Sequence, residues 1–207
     1  VAKTILHIEV SPLGERSVSR KLTTKILAGL QAKYPGSTVV TRDLAAAPLP
    51  HLDGLTIGAF FTPADQRNPV LAEAVKNSDA AVAEVLAADI IVIGAPMWNF
   101  GLPSGLKAWI DHIVRAGVTF RYTENGPVGL AGAGKKVIVA SARGGVYTQG
   151  PTQPFDHQET YLQLILGFIG FTDITFVRAE GLAMGEEAVA AAMQSAETKL
   201  AETLRAA

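Results

Sequence analysis

Five short runs of aliphatic and β-branched residues punctuate the chain, and between them apolar positions recur at helical spacing. The predicted strands are residues 4–10 (TILHIEV), 38–44, 90–94, 136–140 and 174–177. Residues 90–94 are apolar throughout, which is how a strand covered on both faces reads. Residues 17–34 place Leu22, Ile26, Leu27 and Leu30 along one helical stripe, and Pro35-Gly36 stops that helix. Residues 70–88 form a long alanine-rich helix, with Thr62-Pro63 ahead of it as a cap followed by a first-turn proline. Further helices are predicted at 106–115, 155–169 (ended by Gly170) and 186–205, with a short one at 55–61; residues 45–53 are loop by their prolines. One interruption stands out. Residues 117–122 and 128–130 flank Thr123-Glu124-Asn125-Gly126-Pro127, whose Asn-Gly centre predicts a small β excursion.

Strand and helix thus alternate five times. A parallel connection needs a crossover, and the crossover is almost always right-handed, so the pattern predicts an α/β three-layer sandwich. We expect a flavodoxin-like five-stranded parallel sheet in the order 2-1-3-4-5, with helices on both faces. At 207 residues the chain is one domain, residues 1–207. In that strand order ligands sit beyond the carboxyl ends of the strands, near the switch between strands 1 and 3.

The unusual residues fall at that edge. After strand 1, Ser11, Ser17 and Ser19 bring hydroxyls to the start of a helix, where unpaired N–H groups favour an anion. Ser17 also reads as an ordinary helix cap. Arg16 and Arg20 are expected to be solvated. After strand 3, Ala95-Pro96-Met97-Trp98-Asn99-Phe100-Gly101 joins a stiffening proline to two aromatic surfaces and an amide, a loop that suits a flat ligand. After strand 4, Ala142-Arg143-Gly144-Gly145 allows close backbone approach to a ring, or makes a tight turn with no ligand. Arg143 reads as an anion partner or as a solvated side chain. Together the three loops describe a pocket for a mononucleotide with a broad ring, and flavin mononucleotide fits best.

Composition narrows the choice. A formal net charge of -1 gives no electrostatic reason to expect nucleic acid or an anionic membrane as partner. Without cysteine there is no disulfide, thiolate zinc site or dithiol chemistry, so a redox role needs a cofactor. No apolar run approaches a bilayer span and no signal-peptide pattern opens the chain, so a cytoplasmic location is expected. Gly129 to Lys135 matches GxxxxGK, but Lys136 replaces the required Ser/Thr and the run enters a strand, which argues against a P-loop. No metal constellation appears.

The combination of Ser11 with Ser17-Val18-Ser19, Pro96-Met97-Trp98-Asn99-Phe100, the run from Arg115 to Pro127, and Arg143-Gly144-Gly145 resembles the FMN-dependent NADH:azoreductase family, also called NAD(P)H-dependent quinone reductases. The resemblance spans essentially the whole chain. It implies tightly bound, non-covalent FMN, with NADH or NADPH giving a hydride that passes to quinones or azo compounds from one shared pocket. It also implies that Ser11, Ser17, Val18 and Ser19 hold the phosphate. Pro96, Met97, Trp98, Asn99 and Phe100 would line the ring, and Ala142, Arg143, Gly144 and Gly145 would meet its pyrimidine side. Asn99, Tyr122 and Phe168 are the implied catalytic group, Phe168 across a homodimer interface. Trp98 stands where many members carry tyrosine, and Ala142 where many carry serine. The rival reading, a flavodoxin-type electron carrier docking on a protein partner, calls for an acidic face that this nearly neutral chain lacks.

Overall fold

The structure, a computed structural model, describes residues 1–206. In chain order the elements are β1 (Thr4–Glu9), α1 (Val18–Lys33), β2 (Thr38–Asp43), α2 (Gly54–Phe60), α3 (Pro69–Ala87), β3 (Ile90–Pro96), α4 (Ser104–Ile113), β4 (Phe120–Thr123), β5 (Gly126–Gly129), β6 (Lys136–Ala142), α5 (Glu159–Phe168), β7 (Asp173–Ala179) and α6 (Glu186–Ala206).

The main sheet has the order β2-β1-β3-β6-β7, with every neighbouring pair parallel. Set aside the separate antiparallel pair β4-β5 and this is the predicted 2-1-3-4-5. The period-two alternation of a strand sorts the core into two layers. Leu6, Ile8, Ile91, Ile93, Val137 and Val139 face α3, α4 and α5, where they bury Val82, Val85, Trp109, Ile110, Leu162 and Leu166. Their neighbours Ile5, Ile90, Val92, Ile138 and Ala140 face α1 and α6, packing on Leu22, Ile26, Leu30, Ala196 and Leu200.

One cap and one element start differ from expectation. The long helix falls where the 70–88 run predicts, but Thr62-Pro63 is not its cap: Asn68 caps α3, its side chain accepting from the N–H of Leu71 at 3.0 Å, with Pro69 as first helical residue. Both dipeptides satisfy the cap-plus-proline rule, and the copy next to the continuous apolar stripe is the one used. Pro63 instead precedes a single 3₁₀ turn, Ala64–Gln66. Likewise α5 starts at Glu159, because residues Gln153–Phe155 form a 3₁₀ turn of their own and Asp156 accepts from the N–H groups of Gln158 and Glu159.

The β4-β5 hairpin is pinned at its base. A Cβ added to Gly132 would lie 2.2 Å from backbone atoms of Gly170 and Phe171, so the two segments touch main chain to main chain. Only glycine allows that approach.

Candidate active site

Ser11, Ser17, Val18, Ser19, Pro96, Ala142, Arg143 and Gly144 share the walls of one cleft of ≈ 150 Å³ at the carboxyl edge of the sheet, with Leu13, Arg16 and Leu182. Larger concavities lie elsewhere, one of ≈ 640 Å³ against α6 and one of ≈ 510 Å³ beside β2, but these eight of the predicted cofactor residues meet in the smaller cleft, whereas Met97, Trp98, Asn99, Phe100 and Gly145 are not among its walls. Ser11, Ser17 and Ser19 are all buried. Ser17 caps α1, its Oγ accepting from the N–H of Arg20 at 3.3 Å, and it also lies 3.0 Å from Ser19 Oγ. The N–H groups of Val18 and Ser19 open the helix and have no intrahelical carbonyl to reach. The cleft therefore offers neutral donors to an anion.

Arg20 is not solvated, contrary to expectation. Its Nε donates to the Ser11 carbonyl at 2.9 Å and its Nη atoms hold Asp43 at 2.9 Å, so it braces the loop that carries Ser11. That hydrogen bond holds the Asp43 carboxyl below the usual carboxylate range. Glu9, buried behind, accepts from Thr23 Oγ1 and pairs with His7 Nε2 at 2.9 Å, giving His7 a structural partner.

The turn after β3 is tighter than its sequence suggests. Trp98 and Gly101 exchange N–H to C=O bonds in both directions, at 3.1 and 2.9 Å, leaving Asn99 and Phe100 as the two central residues. Both have positive φ, 49° and 66°. Asparagine tolerates this conformation, but a bulky aromatic there is a strained outlier. The strain is held by packing. The Phe100 ring lies 5.4 Å from Phe155 and 6.1 Å from Tyr147, and its carbonyl accepts from the N–H of His157 at 3.1 Å. Trp98, Asn99 and Phe100 remain exposed on the rim.

After β6, the carbonyls of Arg143, Gly144 and Gly145 accept from the N–H groups of Leu182, Ala183 and Gly181 at 2.9 to 3.1 Å. Among the described residues, no hydrogen bond uses the N–H groups of Gly144 and Gly145. This turn presents donors to a ligand, with its acceptors already engaged. Arg143 neither meets an anion from outside nor faces water. Its guanidinium is buried among Asp156 (2.9 Å), Glu180 (3.1 Å) and Glu159, and Nε donates to Ser141 Oγ. Asp156, Glu159 and Glu180 were not singled out in the sequence, since nothing local marks residues 13 to 37 positions away as partners of Arg143.

Tyr122 and Phe168 meet at Phe120, with ring centroids 5.4 and 4.5 Å from it. They are not among the walls of the cleft, and Tyr122 is 74% exposed on the hairpin.

Over residues 3–204 the chain matches the family model described as flavodoxin-like fold. It belongs to that family, in the branch that holds the FMN-dependent NADH:quinone oxidoreductases and azoreductases. It is 53% identical over 202 residues to the FMN-dependent NADH:quinone oxidoreductase of Herminiimonas arsenicoxydans, covering 98% of both chains. With the protein of the same name from Ralstonia nicotianae it shares 54% over 193 residues, 93% of this chain and 92% of the other. Among solved structures, an azoreductase from Bacillus anthracis strain Sterne superposes with a TM-score of 0.85 at 33% identity, covering 96% of this chain and 99% of that one. An FMN-dependent NADH-azoreductase from B. anthracis Ames Ancestor, solved in complex with FMN, gives 0.87 at 26% identity over 99% of this chain and 98% of that one.

Proposed function

We propose that this chain is an FMN-dependent NADH:quinone oxidoreductase that also reduces azo compounds, working in the cytoplasm as a homodimer. The observation that carries the reading is the meeting of three loops at one sheet edge: serine hydroxyls with open helix N–H groups, a strained aromatic turn, and a glycine turn with free donors. That donor set fits a phosphorylated planar cofactor. FMN, when bound, supplies the two-electron hydride exchange between nicotinamide and acceptor.

The chain's own residues then have distinct tasks. Ser11, Ser17 and Ser19, with the N–H groups of Val18 and Ser19, hold the phosphate. Pro96, Met97, Trp98, Asn99 and Phe100 would line the ring. The N–H groups of Gly144 and Gly145, which no protein acceptor uses among the described residues, would donate to the pyrimidine edge, and such aimed donors are effective because they need no reorganisation. Ala142 lines the cleft. Arg143 contributes its backbone position, its guanidinium being engaged inside. Trp98 and Phe100 leave the outer side open to donor and acceptor in turn. Tyr122 and Phe168 approach that open side from a second copy.

The shared pocket makes a kinetic prediction. With FMN-loaded protein, NADH and a benzoquinone should give parallel double-reciprocal lines; intersecting lines would require both molecules bound together and would remove the shared pocket. A protein that stays colourless after incubation with FMN would remove the whole reading.

A further inference from the structure

The turns at residues 97–101 and 143–147 leave adjacent strands, and a buried relay ties them together. Arg143 Nε donates to Ser141 Oγ at 2.9 Å, Ser141 Oγ donates to Gln158 Oε1 at 3.1 Å, and Gln158 Nε2 donates to the Ala95 carbonyl at 2.9 Å. The direction is set by chemistry. A guanidinium only donates, so the Ser141 proton must go on to an acceptor, and a carbonyl only accepts, so Gln158 must turn its nitrogen to Ala95. Ser141 and Gln158 are fully buried. Around Gln158, the N–H of His157 reaches the Phe100 carbonyl, while Asp156 and Glu159 grip Arg143. The start of α5 therefore touches both turns and reads as the part that sets one against the other.

We propose that Gln158 is a positioning residue: through Ala95 and Ser141 it locks the aromatic turn and the glycine turn at the spacing a flavin ring needs. The proposal rests on the flavin reading above. Gln158 is not a wall of the cleft, so its influence is entirely through the backbone it holds.

The test compares Gln158→Met, which keeps volume and removes both hydrogen bonds, with Ser141→Ala and the double variant. FMN affinity is read by quenching of flavin fluorescence, turnover with NADH and a benzoquinone at saturating FMN, and apoprotein stability by thermal unfolding. Displacement of a bound ring by a fraction of an ångström is costly to turnover. For Gln158→Met we expect FMN affinity to fall about tenfold and kcat several-fold, with KM for NADH within about twofold. Ser141→Ala should weaken FMN about threefold, and the double variant should match Gln158→Met, because links in series are not additive. A folded Gln158→Met protein with unchanged FMN affinity and kcat, altered only in melting temperature, would reduce Gln158 to a structural role and overturn the proposal. If Gln158→Met does not fold, unchanged FMN affinity in Ser141→Ala overturns it equally. Failure of the unmodified protein to bind FMN is a different result: it removes the flavin reading first and this inference with it.

Discussion

Asn99 and Phe100 show what single residues contribute and how little of it spacing reveals. The sequence points to Gly101 as the permissive position in this loop, yet the left-handed residues are the two before it. Asn99 has two separable roles, an amide at the rim and a backbone at φ 49°. Asn99→Gly keeps the backbone and deletes the amide; stability should change by no more than about 0.5 kcal/mol while turnover falls about tenfold or more. Asn99→Ala keeps a Cβ in the left-handed region without the polar side chain that eases it, and should lose a further ~1 kcal/mol of stability. Equal turnover in Asn99→Gly and the unmodified protein would take the amide out of the chemistry. Arg143 makes the complementary point. Its place in the glycine turn was legible, but its inward guanidinium was not, because the carboxylates that bury it arrive from α5 and the end of β7. Charge partners distant in sequence leave no local pattern to read.

The strands could be read from apolar runs and their parallel pairing from the need for crossovers, while their order followed from taking the alternation as flavodoxin-like. Helix caps were less legible, because cap signals recur and only packing selects among them, as with Thr62-Pro63 against Asn68-Pro69. The contact of the hairpin with Gly170 was also hidden, since nothing in a glycine says which backbone will approach it. That contact is testable: Gly132→Ala places a methyl within 2.2 Å of main chain that cannot rotate away, so it should destabilise the fold by about 1–3 kcal/mol, read by chemical denaturation. Stability equal to that of the unmodified protein would mean the hairpin base is loose. At the start of α1, Arg20 and Asp43 make a pH-dependent brace. The Asp43 pKa is lowered in the folded state, so its contribution is complete above the unfolded value near ~3.9 and is lost as pH falls through the folded value. The stability gap between the unmodified protein and Asp43→Asn should be open at neutral pH and close in the acid range below about pH 4. The gap will be modest, because both groups remain partly solvated. A gap that persists undiminished well below that range would show that the pair's charge is not what holds the loop.

At the level of the whole molecule, the two helical layers end in unlike surfaces. The layer of α1 and α6 presents no large exposed apolar residue among the described positions of those helices. The opposite layer exposes Leu55, Ile57 and Phe61 around α2, Val70 and Leu86 on α3, Leu164 on α5, and Tyr122, Val128 and Leu130 along the hairpin side. Scattered apolar residues need no explanation, but a bias to one layer, with Phe61 79% and Leu164 71% exposed, sets this face apart from the α1-α6 side. A second copy of the chain is the proposed cover, since two-fold dimers are the commonest homo-oligomers. It also explains why Tyr122 and Phe168, joined at Phe120 on this side, lie off the walls of their own cleft. Light scattering should therefore give twice the chain mass of 21.7 kDa. The double substitution Phe61→Glu with Leu164→Glu, which puts like charges on the covered face, should return the single-chain mass. If the homodimer completes the site, that variant should retain FMN but lose most of its quinone turnover, because the cofactor grip lies within one chain and the outer wall does not. A single-chain mass for the unmodified protein at micromolar concentration would leave the exposed layer without its partner, and full turnover in a monomeric variant would place every working residue within one copy.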